Sequence, residues 1–259
     1  MIIIIYIDES GFGVKFNLSN KEGFSDIINI YFCTSLEKDK SVKLLSNEEK
    51  KFFDTLKYPK RINSFLLGRT SAKKAVANLV NYYNYKYIEI NNGIFNQPYI
   101  ACEKINNVNI TLSHCDKLGV AVAFFEKNCV GIDVEIINEN SIKSIKSQCT
   151  ENEIQLLNNI FKNNNLGLTS IWCSKEALSK IIKTGLTLSF EILELANIKF
   201  IDNYIISDYK NFHQYKSISW QLQDEIFSLV LPTNLINDNF LSDFQKFLEE
   251  YRNQINLNY

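Results

Sequence analysis

The sequence predicts an α+β protein, and three observations predict it. Apolar runs of strand length open the chain, helical patterns with capping signals occupy its middle, and strand-like runs return after residue 185. Strands and helices grouped in this way favour α+β over a doubly wound parallel sheet. The chain is 46% hydrophobic and 22% charged, which excludes a disordered polypeptide and allows a large core. The order of elements also runs through helices and strands twice. It suggests two similar α/β halves, 1–125 and 126–259, with no Pro- or Ser-rich linker between them.

Each element has its own signal. Ile2–Ile7 reads as a strand, broken by Gly11 and Gly13. Its apolar run is short, lacks a basic lead-in, and is followed at once by Asp8 and Glu9. That excludes a signal peptide or a membrane span there, and no other run approaches membrane length. A second strand is expected over 27–34. Ser46-Asn47-Glu48-Glu49 is a capping box that opens a helix to about Thr55. Residues 61–83 carry apolar side chains at helical spacing without a proline and predict a long helix. Short strands are expected at 87–90, before the Asn92-Gly93 turn, and at 109–113.

Residues 120–125 and 130–137 are two apolar β-rich runs joined by Glu126-Lys127-Asn128, the pattern of a hairpin. Thr150-Glu151-Asn152-Glu153 is a second capping box, opening a helix to about Lys162. A loop is expected at 163–167. Thr169 then caps a helix reaching about Lys183, which Gly185 ends. Strands follow at 186–192, 197–206, 215–222 and 225–231, and an amphipathic helix at 237–251 closes the chain.

Bulk chemistry narrows the function. Net charge is −1, so no global basic field draws nucleic acid or a membrane surface, although Lys57, Lys60 and Arg61 cluster locally. None of the six cysteines forms a CxxC pair. Reduced thiols in a cytoplasmic protein fit better than a zinc site or a disulfide framework. Only His114 and His213 are present, which excludes a multi-histidine metal centre.

The strongest chemical signal is Gly131-Ile132-Asp133-Val134-Glu135. Residues i and i+2 of a strand share a face, so Asp133 and Glu135 project side by side from an apolar run. An exposed strand face explains the pair as readily as a cation does. Magnesium prefers a few carboxylates plus phosphate oxygens, which Asp-x-Glu satisfies. Further on, Trp172-Cys173-Ser174-Lys175-Glu176-Ala177-Leu178-Ser179-Lys180 places Glu176 and Lys180 one turn apart on a helix. A surface ion pair is one reading; a third metal ligand beside a phosphate contact is the other. Trp172, Ala177, Leu178 and Ile181 would seat that helix in the core.

These two stretches resemble the signatures of the 4′-phosphopantetheinyl transferases, in particular the larger, pseudo-dimeric class typified by the surfactin-synthetase activating enzyme. Phe65-Leu66-Leu67-Gly68-Arg69 is similar to that family's Leu-Leu-Gly-Arg helix. Thr111-Leu112-Ser113-His114 is similar to its Asn-x-Ser-His strand, and Gly185-Leu186 follows the lysine helix as in the family. The resemblance covers most of residues 60–190. It implies transfer of the phosphopantetheine arm of coenzyme A to a serine of an acyl or peptidyl carrier protein, with release of adenosine 3′,5′-bisphosphate. It implies Mg2+, with Mn2+ as an alternative, held by Asp133, Glu135 and Glu176. Glu176 or a water it holds would take the serine proton, and Lys180 would stabilise phosphate charge. Arg69, Ser113 and His114 would contact the coenzyme. It further implies a monomer with its active site in a cleft between two similar halves.

The sequence departs from the pattern in three places. Asn96-Gln97-Pro98 stands where the family has Gly-Lys-Pro, Thr111 stands for its Asn, and Lys183 stands for the first glycine of Gly-x-Gly-Leu. These changes bear on coenzyme contacts and loop geometry and leave the three carboxylates in place. Two other classes remain open at this point. One is another metal-dependent phosphoryl-transfer enzyme, for which Ser113-His114 has no general role. The other is a non-catalytic relative that binds carrier protein or nucleotide.

Overall fold

The computed structural model describes residues 4–161 and 164–257. It is α+β, as the grouped strand and helix signals predict, and divides into two units, Met1–Asn128 and Cys129–Tyr259.

In the first unit, strands β1 (Ile4–Asp8), β2 (Gly11–Ser19) and β3 (Ser25–Cys33) precede helices α1 (Lys38–Leu44), α2 (Asn47–Asp54) and α3 (Pro59–Val80). A hairpin of β4 (Glu89–Asn92) and β5 (Pro98–Ala101) follows, then β6 (Val108–Cys115) and β7 (Leu118–Phe125). Five strands form an antiparallel sheet in the order β1-β2-β3-β7-β6. Helix α3 lies on this sheet, against β3, β6 and β7. Leu67, Ala72, Ala75, Val76 and Leu79 meet Tyr31, Cys33, Ile110, Ala121 and Ala123 in one buried cluster. The small side chains of α3 let the helix approach the strands closely.

Gly11 does not end the first strand pair; it begins β2. Its φ of 155° and the Phe32 carbonyl oxygen 1.9 Å from where a Cβ would stand leave room only for glycine. Gly13 sits inside the same strand, paired with Tyr6 and Tyr31. The predicted strand over 2–7 therefore holds for its described part, and residues 2 and 3 lie outside the described residues. Residues Tyr85–Tyr87 form a 3-10 turn, so the strand expected at 87–90 begins two residues later.

The second unit runs β8 (Gly131–Ile136), α4 (Glu139–Ser147), α5 (Glu151–Ile160), α6 (Asn164–Ile181), β9 (Leu195–Ile201), β10 (Tyr204–Tyr209), β11 (Tyr215–Leu222), β12 (Glu225–Pro232) and α7 (Asp238–Leu257). Its sheet is antiparallel in the order β8-β12-β11-β10-β9. Helix α6 packs on β8, β12 and β11. Trp220 of β11 and Phe244 of α7 meet edge to face, 5.0 Å between centroids. Alternation along β11 puts Trp220 on the face opposite Ser219, which bonds to α6.

The structure corrects several expectations here. The runs 120–125 and 130–137 are not a hairpin: β7 pairs with β3 and β6, and β8 pairs with β12, so residues 126–130 join two different sheets. The expected loop at 163–167 is helical from Asn164 onward. Thr169 lies inside α6 and donates to the Asn165 carbonyl rather than capping a terminus. No strand forms at 186–192; a 3-10 turn at Gly185–Thr187 and further turns lead into β9. The single strand expected at 197–206 is two, β9 and β10, joined across Asp202-Asn203. Lys162, where the preceding helix was expected to end, lies outside the described residues, and α5 ends at Ile160. Helix α6 stops at Ile181, and Lys183 takes a φ of 56°, the left-handed region that glycine occupies without cost.

Candidate metal centre

The site is assembled by one strand and one helix of the second unit. The pleat of β8 turns Asp133 and Glu135 to the same face, while β12 fixes the strand from the side through the pairs Asp133 with Ser228 and Glu135 with Ile226. Helix α6 crosses that face at close range because β8 begins with glycine. A Cβ on Gly131 would stand 2.0 Å from the Ala177 carbonyl oxygen. Along α6, Trp172, Glu176 and Lys180 recur at i, i+4 and i+8 and so share one stripe.

Three carboxylates converge there. Each of Asp133, Glu135 and Glu176 offers an oxygen, and these oxygens all lie within 4.8 Å of one another. Asp133 is 2% exposed, and the two glutamates are half-buried. Lys180 reaches over from α6 and donates to Asp133 Oδ1 at 2.8 Å and to the Ile132 carbonyl at 2.8 Å. Its ammonium thus links the helix to the strand. Trp172 donates its indole N–H to Glu135 Oε1 at 3.1 Å, and its ring leans on Phe190, 4.9 Å between centroids.

Three acids against one ammonium leave an excess of negative charge in a poorly hydrated place. Burial, then the charge of Asp133, pushes Glu135 up to about 7. The same two causes push Glu176 up to about 8, with Lys180 working in the other direction. Without a cation the cluster relieves its repulsion by keeping protons near neutral pH.

The donor set fits a hard divalent cation. Magnesium takes oxygen ligands at about 2.1 Å in octahedral geometry, so trans ligands stand about 4.2 Å apart. Carboxylates within 4.8 Å need only small side-chain movements to reach that span. Among the described residues no histidine or cysteine joins the three carboxylates, a donor set that favours magnesium or manganese over zinc.

The support behind α6 is buried and polar. Lys175 points away from the carboxylates and donates to Glu153 Oε2 at 2.7 Å and to the Gln148 carbonyl at 3.1 Å. Glu153 closes the capping box of α5 and accepts the backbone N–H of Leu195. One lysine therefore ties α6 to α5 and β9. Ser174, Ser219 and Ser228 exchange hydroxyl hydrogen bonds of 3.0, 3.3 and 2.7 Å between α6, β11 and β12.

Residues 129–235 match the model of the 4′-phosphopantetheinyl transferase superfamily. No curated protein matches the chain. The matched transferase region runs from just before β8 to just after β12 and contains all three carboxylates, Trp172 and Lys180.

The three remaining candidates belong to the first unit, outside the transferase match. Arg69 on α3 turns its Nε to Glu49 Oε1 at 3.4 Å and lays its guanidinium over the Phe65 ring at 4.9 Å. Ser113 and His114 sit on β6, an edge strand, and alternate to opposite faces of the sheet. His114 is exposed and on the side of α3, with its ring edge 3.7 Å from where a Cβ on Gly68 would stand. The exposed Lys57, Lys60 and Arg61 lie just before or at the start of α3.

Sequence reasoning placed Trp172 in the core and did not see its contact with Glu135. The signal was present. Trp172 precedes Glu176 by four residues, as Glu176 precedes Lys180, so all three had to share a face.

Proposed function

We propose that the chain is a magnesium-dependent 4′-phosphopantetheinyl transferase that moves the phosphopantetheine arm of coenzyme A to a carrier-protein serine. The observation that carries this reading is the convergence of Asp133, Glu135 and Glu176 within the region that matches the superfamily. A cation held by these three would neutralise charge on the diphosphate of coenzyme A and align it for attack. Manganese would serve the same donor set.

The chain's own residues supply the rest. Glu176, one of the three converging carboxylates, takes the serine proton directly or through a water it holds. Lys180 places a compact positive charge at the edge of the carboxylates and serves the phosphates as a point cation. His114 and Ser113 contribute to coenzyme binding from their edge strand, and Arg69 does so from α3. Each unit is a five-stranded antiparallel sheet under one long helix, which supports the doubled architecture of the surfactin-activating type. Such a doubled chain acts as a monomer in the cytoplasm. Among the described residues no helix is long and apolar enough to cross a membrane.

The test is a mass measurement. The chain, coenzyme A and MgCl2 are incubated with a panel of apo-carrier proteins, covering fatty-acid, polyketide and peptide carriers. A carrier that gains the mass of phosphopantetheine supports the reading, and no gain across the panel overturns it. Glu176→Ala should lower transfer by roughly 10³-fold or more, the upper scale for removing one preorganised electrostatic group. Its far-ultraviolet circular dichroism should stay unchanged. Retained transfer would remove the role given to Glu176.

A further inference from the structure

We propose that Trp172 is a positioning residue for the metal centre: its indole N–H holds one oxygen of Glu135 so that the other is presented to the cation. The inference rests on the metal reading above and adds a residue to it.

Four observations support it. The hydrogen bond from Nε1 to Oε1 is 3.1 Å and joins α6 to β8 at the centre of the site. Glu135 is half-buried beside Asp133, so its carboxylate would otherwise turn away from a like charge. The indole is itself held from behind by Phe190, in the turns that follow α6. And among the described residues of the first unit there is neither such a carboxylate cluster nor this contact. On α3 the residue three before the buried lysine is Thr70, and the strand residue Tyr31 turns its hydroxyl to Asp8 instead. An indole N–H suits the task because it donates once, carries no charge and cannot compete with the cation for a ligand. Outer partners of this kind orient a ligand and are worth about 10–100-fold in metal affinity.

The experiment is a double-mutant cycle on the full chain, read as the dissociation constants of Mg2+ and Mn2+ by calorimetry. Trp172→Phe keeps a ring against Phe190 and removes only the donor. It should weaken binding by about 10-fold or more. In a Glu135→Gln background the same change should cost less than about 2-fold, because the carboxylate it acts through is already gone. A second measurement needs no variant. The chain has two tryptophans and so two indole N–H resonances. The Trp172 resonance should move on titration with Mg2+ while that of Trp220, stacked on Phe227 and edge to face with Phe244, stays still. Additive losses in the cycle, or a motionless Trp172 resonance in a chain that binds the cation, would overturn the proposal alone. Failure of the unaltered chain to bind either cation would overturn the metal reading and this inference with it.

Discussion

Helices α3 and α6 carry the same device and opposite chemistry. In the first unit Lys73 of α3 pairs with Glu49 at 2.6 Å, and Glu49 closes the capping box of α2 and accepts the N–H of Ile90 at the start of the next hairpin. In the second unit Lys175 of α6 pairs with Glu153 at 2.7 Å, and Glu153 closes the capping box of α5 and accepts the N–H of Leu195 in β9. All four side chains are at most 2% exposed. The residue after each lysine then points toward the sheet. It is Lys74 in one unit and Glu176 in the other. Lys74 donates to Asp8 and Ser10 at 2.7 and 2.6 Å and lies over the Tyr31 ring. Glu176 meets Asp133 and Glu135. The strand residues two apart differ in the same sense, Asn29 and Tyr31 against Asp133 and Glu135. A common strut fixes the helix, and the side chain one step on decides the charge of the site. The first unit places a lysine ammonium there, whereas the second brings three carboxylates together.

The largest effect expected from this comparison concerns the struts. Removing one partner of a buried ion pair strands the other and costs about 3–5 kcal/mol. Lys175→Met should fall in that range. Lys73→Met should cost less, because Arg69 stands 3.4 Å from Glu49 and remains as a counter-charge. The two are separable by probe, since both tryptophans, Trp172 and Trp220, lie in the second unit. Urea unfolding followed by tryptophan emission reports Lys175→Met, and circular dichroism reports both. A Glu153→Leu/Lys175→Met double variant should recover only part of the loss, because leucine removes the stranded charge but cannot accept the N–H groups of Thr150 and Leu195. Equal losses for Lys73→Met and Lys175→Met would show that Arg69 gives Glu49 no support.

A smaller effect should carry opposite signs in the two units. Glu135 and Glu176 are pushed up to about 7 and 8 by burial and by Asp133. Their folded form holds protons that the unfolded chain releases near its ordinary carboxylate value of about 4.3. The stability they lend is therefore present below that value and is lost as pH rises through 7 to 8. Asp8 behaves in the reverse way. Burial acts upward on it, but hydrogen bonds from Lys74, Tyr31 and Ser10 together hold its carboxyl below the usual range. Its contribution is present above the unfolded carboxylate value and is lost as pH falls through the folded one. Tryptophan-monitored urea midpoints should drop between pH 5.5 and 8.5, and saturating MgCl2 should cancel that drop by binding the ionised folded form. Midpoints that rise with pH in the absence of metal would contradict the strained carboxylates.

Much of this was legible in the sequence, and what was not has physical reasons. The capping boxes at Ser46 and Thr150 announced α2 and α5 because they are local, reciprocal hydrogen bonds between a cap and its third residue. The pairing of Asp133 with Glu135 followed from the strand period alone. The strut partners were not legible, because Lys175 and Glu153 meet only through the packing of two helices. The false hairpin at 120–137 arose because a five-residue connector between two sheets looks like a turn within one. Asn163 to Gly167 read as a loop because Asn and Gly are weak helix formers. There Gly167 is buried with no room to spare, a Cβ standing 2.7 Å from Leu157 Cδ2, so packing against α5 decides. The three carboxylates were thus visible from local rules, and the hydrogen bond from Trp172 to Glu135 only from the meeting of helix and strand.

The smallest expected effect tests whether the first unit's strand positions are relics of a polar site. Asn29 is fully buried on β3, yet neither atom of its amide has a hydrogen-bond partner among the described residues. It lies two residues before Tyr31, on the face that packs against α3. A buried amide left in this state costs about 1–3 kcal/mol. Valine suits the strand, removes both orphaned atoms and fills a similar volume beside Ile27 and Tyr31. Asn29→Val should therefore stabilise the first unit by about 1 kcal/mol, read as a higher urea midpoint by circular dichroism. The matching change in the second unit, Asp133→Val, should abolish cation binding instead, because there the polar atom has work to do. If Asn29→Val destabilised the unit, the amide would be satisfied in solution, and the two strand positions would no longer differ in the way the charges on α3 and α6 require.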